Sequence, residues 1–344
     1  VKYQSVMEKV VTFGEVMLRL SPPGNLRIRQ APSLEILFGG AEANVAVALA
    51  QWGFKSAFVS RLPAENEVAE SCLAQMRGLG VDVSGVIRGG ERMGVYFVER
   101  GAAQRPYTVL YDRANSAISS IDPSALDWDA LLDGATAFHT TGITLALSDN
   151  AAKAAADGMK AAKAKGLTVS FDPNYRAKLW SEEKASTVLT PLMDYVTLLF
   201  AAPGDAKKLF GVTPDTQTEG IESATEVAIK LSEKFPSAQT VAMQLRSSES
   251  ASGGGWTGLV YQSGQTAIAR SYTLDNTVDR IGTGDAFAAG LLFRLLSGGT
   301  LQEAVEMATA AGCLKHLVNG DFLLASLAEV EELAGGGHGG RVKR

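Results

Sequence analysis

Short apolar or β-branched runs alternate with stretches of helical period along most of the chain. Runs of strand length occupy 10–18, 56–60, 137–140, 168–172, 196–200 and 240–244. Their Val, Phe, Leu and Thr suit a pleated, buried ribbon. Between them, 41–51, 64–79, 148–165, 181–193 and 222–235 carry apolar residues at three- and four-residue spacing, which predicts helices. The 150–165 segment is rich in Ala and Lys and runs into Gly166, a C-terminal stop. Strands alternating with helices imply βαβ units and an α/β architecture, with a mainly parallel sheet doubly wound by helices. Ligands of such sheets bind beyond the carboxyl ends of the strands. Two stretches, 21–38 and 92–115, break the rhythm with β-type patterns such as Val95-Tyr96-Phe97-Val98 and Tyr107-Thr108-Val109-Leu110-Tyr111. They predict a small extra sheet covering the main domain. No internal repeat is present.

A length of 344 residues allows two domains or one large α/β domain with an insertion. The single rhythm is read as one domain over 1–334, with the extra sheet built from about 19–38 and 92–115, and a Gly-rich, basic 335–344 tail expected to be disordered. With 46% hydrophobic and 20% charged residues the composition is that of a globular protein able to bury a core without disulfides. The net charge is −5, from 32 Lys and Arg against 37 Asp and Glu, and no basic stripe stands out, so no nucleic-acid partner is expected. An anionic ligand has to be met by local positive charge. Cys72 and Cys313 have no metal spacing and read as buried, reduced thiols. His139, His316 and His338 are too scattered for a metal site, so no metal ligands are assigned. No run approaches the ~18 apolar residues of a membrane span, and the N-terminal stretch lacks a signal-peptide pattern. A cytoplasmic protein without a membrane partner is expected. Glycine is in excess, at 36 residues.

Some of that glycine sits in two motifs. In Asp279-Arg280-Ile281-Gly282-Thr283-Gly284-Asp285, small residues turn the chain into the apolar run Ala286-Phe287-Ala288-Ala289-Gly290-Leu291-Leu292. The free N–H groups of such a helix start, with its dipole, make an anion cradle. An Asp placed there suits a base that deprotonates a hydroxyl as it attacks a phosphoryl group. The same Asp285 also fits as a plain cap, and Gly-x-Gly-Asp alone is a weak signal. The loop is no dinucleotide fingerprint, because Phe287 stands where the third glycine belongs, and no Walker A sequence occurs. Near the N-terminus, Phe38-Gly39-Gly40-Ala41-Glu42-Ala43-Asn44 opens the first helix. Gly39 and Gly40 allow close approach to a ligand, and Asn44 offers a donor and an acceptor to hydroxyls. A tight strand-to-helix turn explains the pair equally well.

Together, in this order and at this separation, the two motifs resemble the signatures of the PfkB (ribokinase-like) carbohydrate kinases, over roughly residues 10–333. The resemblance implies a Rossmann-like core with a β-sheet lid and phosphorylation of a sugar hydroxyl by ATP, with Mg2+ carried by the nucleotide. Within the family, Tyr96-Phe97-Val98-Glu99-Arg100-Gly101, the 141–150 segment and Asp172-Pro173-Asn174-Tyr175-Arg176-Ala177-Lys178-Leu179-Trp180 are similar to 2-keto-3-deoxygluconate kinases. By that resemblance Asp285 is the base, and Gly282, Thr283 and Gly284 form the anion hole. Gly39, Gly40, Asn44, Tyr96, Tyr111, Arg113, Arg176 and Asp321 meet the substrate, while Asn174 and Arg246 join the anion hole in contacting the nucleotide. The lid face is expected to pair with a second lid, giving a homodimer.

A sugar acid needs cations where a neutral sugar needs carboxylates and amides. Arg19 stands in about the place where the family often carries an Asp, which favours a carboxylate ligand. A locally positive cleft around Arg113 and Arg176 is therefore expected; a surface or carboxylate-partner role is the leading alternative for Arg19 and the lesser one for Arg113 and Arg176. The 6-hydroxyl of 2-keto-3-deoxygluconate is the expected acceptor. A neutral-sugar kinase of the fructokinase or ribokinase type and a catalytically silent sensor are the alternatives. The sequence departs from the family in three places. Ala202-Pro203-Gly204-Asp205 replaces Asn-x-x-Glu, a longer loop from Arg246 to Gly255 replaces Gly-Ser-x-Gly, and Pro63 stands where a glycine commonly ends the first signature.

Overall fold

The computed structural model describes residues 8–215, 219–248 and 250–337. The main sheet is built from β1 (Lys9–Phe13), β4 (Lys55–Leu62), β5 (Val86–Arg88), β8 (Ala137–Thr141), β9 (Thr168–Asp172), β10 (Leu198–Phe200), β11 (Thr240–Ser248), β12 (Gly254–Gln262), β13 (Gln265–Ile268) and β14 (Tyr272–Leu274). Its order is β13-β12-β11-β10-β9-β8-β1-β4-β5, with β14 on β12. All pairings from β11 to β5 are parallel, and the β12 hairpins close the other edge antiparallel. The parallel strands read as continuous apolar runs because both faces are buried. Val11, Phe138, Val169, Leu199 and Val241 face one helical layer, and their neighbours Val10, Ala137, Leu198 and Ala242 face the other.

The second sheet runs β3 (Glu35–Gly39), β2 (Met17–Ser21), β6 (Val95–Glu99) and β7 (Thr108–Asp112). Period-two alternation gives it two different faces. Met17, Tyr96 and Tyr111 look into the cavity described below. On the reverse, Ile36, Leu20, Phe97 and Leu110 stand in register as one cross-strand row.

The apolar run 10–18 is not one strand. It breaks at Gly14 into β1 and β2, which belong to different sheets. A Cβ on Gly14 would lie 2.1 Å from the Glu42 carboxyl carbon, so the chain crosses between sheets where only glycine fits. The expected 64–79 helix starts later, at Glu67, because Asn66 caps it by accepting from Ala69 N–H at 2.9 Å. The expected 240–244 strand extends to Ser248 because β12 pairs along its whole length. Of the 335–344 tail, 335–337 form a turn, with Gly337 N–H donating to Glu332 O at 2.8 Å; the rest, with His338, lies outside the described residues. Cys72 and Cys313 are free and buried. No described helix is long and apolar enough to cross a membrane.

Candidate active site

A cavity of about 460 Å³ opens between the carboxyl ends of the main strands and the small sheet. The two glycine motifs meet in it, although Asn44 and Asp285 are 241 residues apart. Helix Ala41–Gln51 places Asn44 one turn in, and helix Thr283–Leu296 places Asp285 in its first turn. Asn44 accepts from Gly40 N–H at 3.3 Å and donates through Nδ2 to Asp285 Oδ2 at 2.6 Å. Its amide is thus engaged by the protein, holding the carboxylate in one orientation, where the sequence suggested a group free for hydroxyls.

Burial raises the Asp285 carboxyl to about 6, while the Asn44 bond draws it back down. Gly282 is left-handed, at φ 85°, and a Cβ there would meet Asp321 O at 2.3 Å. The first helical bond is Ala286 N–H to Gly282 O at 2.9 Å. The N–H groups of Thr283 and Gly284 precede it and are left for a ligand. Thr283 Oγ1 donates to Arg280 O at 3.1 Å and tightens the loop.

The other expected residues divide. Gly39, Gly40, Tyr96, Tyr111, Arg113, Asn174, Arg176 and Asp321 all line the cavity. Gly39 and Gly40 serve the fold there, since added Cβ atoms would lie 2.2 Å from Asp321 Oδ2 and 1.9 Å from Glu15 O. Tyr96 donates to Asp321 Oδ2 at 2.6 Å and stacks 6.0 Å from Tyr111. Arg113 is held by Glu15, which also accepts from Ser116, and lies 5.4 Å over Tyr111. Arg176 is exposed; its guanidinium donates to Tyr175 O at 3.2 Å and acts electrostatically on Asp172, Asp205 and Asp285. Asn174, at φ 40°, donates its N–H to Asp172 Oδ1 at 2.9 Å.

Arg19 follows the carboxylate-partner alternative and does not face a ligand: it is fully buried, bonding Asp279 Oδ2 at 2.5 Å and Asp321 Oδ1 at 2.7 Å. The Asp that the family often carries there is replaced by a cation because two carboxylates from distant loops already converge on the place. Nor is the cleft positive overall. Six carboxylates (Glu15, Glu42, Asp172, Asp205, Asp285, Asp321) line it against Arg113, Arg176 and Arg280. Arg246 lies outside this lining, two residues beyond Gln244 toward the carboxyl end of β11.

Several cavity residues were not assigned from sequence. Glu42 is buried, takes Thr141 N–H, Thr141 Oγ1 and Thr144 Oγ1 on one oxygen at 2.8–2.9 Å, and is pushed up to about 7 by burial. Asp172 is pushed up to about 7 by burial and by Asp205, whose own carboxyl is raised by burial. Both lie inside quoted motifs, which was the available signal; their desolvation was not visible there. His139 and His316 are buried and depressed to about 3 and about 4 by desolvation. Among the described residues no three potential ligands cluster as a metal site of their own.

The pfkB family carbohydrate kinase profile matches residues 7–321. A 2-dehydro-3-deoxygalactonokinase of Haloferax volcanii is 35% identical over 332 residues, covering 96% of this chain and 98% of that protein. A 2-dehydro-3-deoxygluconokinase of Thermoproteus tenax is 31% identical, covering 95% and 94%. The crystal structure of a 2-dehydro-3-deoxygluconokinase from Thermotoga maritima superposes with a TM-score of 0.92 at 43% identity, covering 95% of this chain and 99% of that one. A helix-start amide cradle, a carboxylate positioned over it, and similarity along nearly the whole chain agree: the chain belongs to the pfkB family of carbohydrate kinases and is a phosphotransferase of the sugar-acid kinase type.

Proposed function

We propose that the protein transfers the γ-phosphoryl group of ATP to the 6-hydroxyl of 2-keto-3-deoxygluconate (2-dehydro-3-deoxygluconate), giving 2-keto-3-deoxy-6-phosphogluconate. The observation that carries the reading is Asp285, held by Asn44 beside the Thr283 and Gly284 amides, with its carboxyl near 6. Such a base is ionised at neutral pH yet basic enough to take a proton in the transition state. Asp285 accepts the hydroxyl proton as the oxygen attacks phosphorus, and the 282–284 amides receive the charge on the transferring group. The small sheet acts as the lid that excludes water, bringing Tyr111 and Arg113 over the sugar. Arg176, exposed at the cavity and acting electrostatically on Asp172, Asp205 and Asp285 with no hydrogen bond to a carboxylate among the described residues, meets the substrate carboxylate.

Asp172, Asn174 and Asp205 are hard oxygen donors on the same cavity wall. Burial, and after it the neighbouring Asp205, raise Asp172, and a cation would favour its ionised form, so these residues fit a nucleotide-borne Mg2+, which would supply charge neutralisation on the phosphates. We place the reaction in the cytoplasm, where ATP and the reducing conditions that suit two free thiols coexist.

The test is ADP release with 2-keto-3-deoxygluconate, its galactonate epimer, gluconate, fructose and ribose side by side. The keto-deoxy gluconate is expected to give the highest kcat/KM. A preference for the epimer revises the stereochemistry alone, whereas fructose or ribose as best substrate overturns the sugar-acid reading.

A further inference from the structure

Three buried carboxylates of this protein sit on arginines: Asp279 and Asp321 share Arg19, and Glu15 holds Arg113. Glu42 and Asp285, which line the same cavity, are held differently. The side chain bonded to Asp285 is the neutral Asn44 amide. The groups that converge on Glu42 are Thr141 N–H at 2.9 Å and the Thr141 and Thr144 hydroxyls at 2.8 Å each. All of these are uncharged, so hydrogen bonding neutralises neither carboxyl.

The local packing says where a proton on Glu42 resides. The side chain leaves the helix Ala41–Gln51 two residues before Asn44 and lies against the end of β1, where a Cβ on Gly14 would come within 2.1 Å of its Oε2. The three donors from Thr141 and Thr144 all sit on Oε1. An oxygen that takes three donors has no lone pair left for a proton, so the proton belongs on Oε2.

Asp285 acts on Glu42 electrostatically from the start of the helix Thr283–Leu296. Asp285 itself faces Asp172 and Asp321 as further carboxyls, and Arg176 and Lys315 as cations that are not bonded to it. Two ionised carboxyls on one desolvated floor repel, and the more deeply desolvated of them stays protonated. Burial pushes Glu42 up to about 7, above Asp285 at about 6, so the two titrate as a pair in which Asp285 ionises first.

We propose that Glu42 is a positioning residue for the reaction: it keeps a proton on Oε2 while Asp285 is ionised, so that Asp285 acts without a second negative charge beside it as an anionic sugar acid and a nucleotide approach. This rests on the kinase reading above and adds an upper pH limit to it.

The test is the pH–rate profile of wild type, Glu42→Gln and Thr144→Val with 2-keto-3-deoxygluconate and ATP, each profile scaled to its own maximum. Wild-type kcat/KM is expected to fall roughly tenfold between pH 6.5 and 8.5, as the second charge arrives beside Asp285. Glu42→Gln keeps an oxygen for the three donors but has no proton to lose, so its profile stays level over that span. Thr144→Val removes a donor that favours the ionised form, so its fall moves to higher pH. Calorimetry gives a reading free of turnover. Titrated with the sugar acid at pH 7.5 in buffers of small and large ionisation enthalpy, the wild type takes up part of a proton and Glu42→Gln takes up less. The wild-type alkaline fall persisting in Glu42→Gln, equal proton uptake by the two proteins, or an unmoved fall in Thr144→Val overturns the proposal. A wild type that phosphorylates the sugar acid with a level profile from pH 6.5 to 8.5 refutes the role of Glu42 alone; one that releases no ADP with any of the five sugars refutes the kinase reading with it.

Discussion

Asp285 shows how the fold gives one side chain a chemistry that its identity does not carry. Its carboxyl rises to about 6 because the fold buries it, and the Asn44 amide limits that rise by bonding the ionised form. In its proposed role as base Asp285 works deprotonated, so kcat/KM is expected to fall as pH drops through about 6. Asn44→Ala removes the bond that favours the anion, so its acid limb should move to higher pH; a pH–rate profile from 5 to 9 on both proteins reads the sign directly. Asp285→Asn should lower turnover roughly 10²–10⁴-fold while leaving sugar binding nearly intact. Turnover equal to wild type would remove Asp285 from the mechanism. At this scale the sequence was legible where residue type and chemistry coincide, as in the Gly282–Asp285 loop. It was not legible for Glu42 and Asp172, whose raised carboxyls come from desolvation by segments far along the chain.

Between elements, Arg19 of β2 bridges Asp279, which precedes the anion loop, and Asp321 of the C-terminal segment. Tyr96 of β6 joins the same Asp321, and Asp279 also accepts Ile281 N–H at 3.1 Å and Gly320 N–H at 3.2 Å. The small sheet is thereby fastened to the loop that carries the site. Arg19→Met leaves two buried carboxylates uncompensated and should destabilise the protein by about 3–5 kcal/mol. Adding Asp279→Asn should recover part of that, since one stranded charge goes. Denaturant melts measure both; a loss below about 1 kcal/mol would mean that water reaches the pair. Element types followed from period, yet the 10–18 run divides between two sheets and the antiparallel β12–β14 edge carried no reading. An apolar run states that it is buried, not against which sheet.

For the whole molecule, the reverse face of the small sheet presents Leu20, Ile36, Phe97 and Leu110 in register, with Ile36 66% and Leu110 49% exposed. A second copy of the same sheet is the occupant that buries such a self-complementary row by two-fold symmetry, and we propose a homodimer through it. Sedimentation should show a dimer for the wild type and a shift toward monomer for Ile36→Lys/Leu110→Lys; a wild-type monomer at micromolar concentration refutes the interface. The sequence by itself determined the alternation that makes the parallel sheet and the two glycine motifs and their family, and it pointed to Asp285 as the proposed base. Those follow from local period and from residue types whose chemistry survives any context. Only the tertiary structure decided that Arg19 is a strut, that Asn44 holds Asp285, that Gly39 and Gly40 make room for Asp321 and Glu15, and that the cleft is rich in carboxylates. Those depend on which distant chain segments become neighbours, and both charge pairing and desolvation are properties of neighbours.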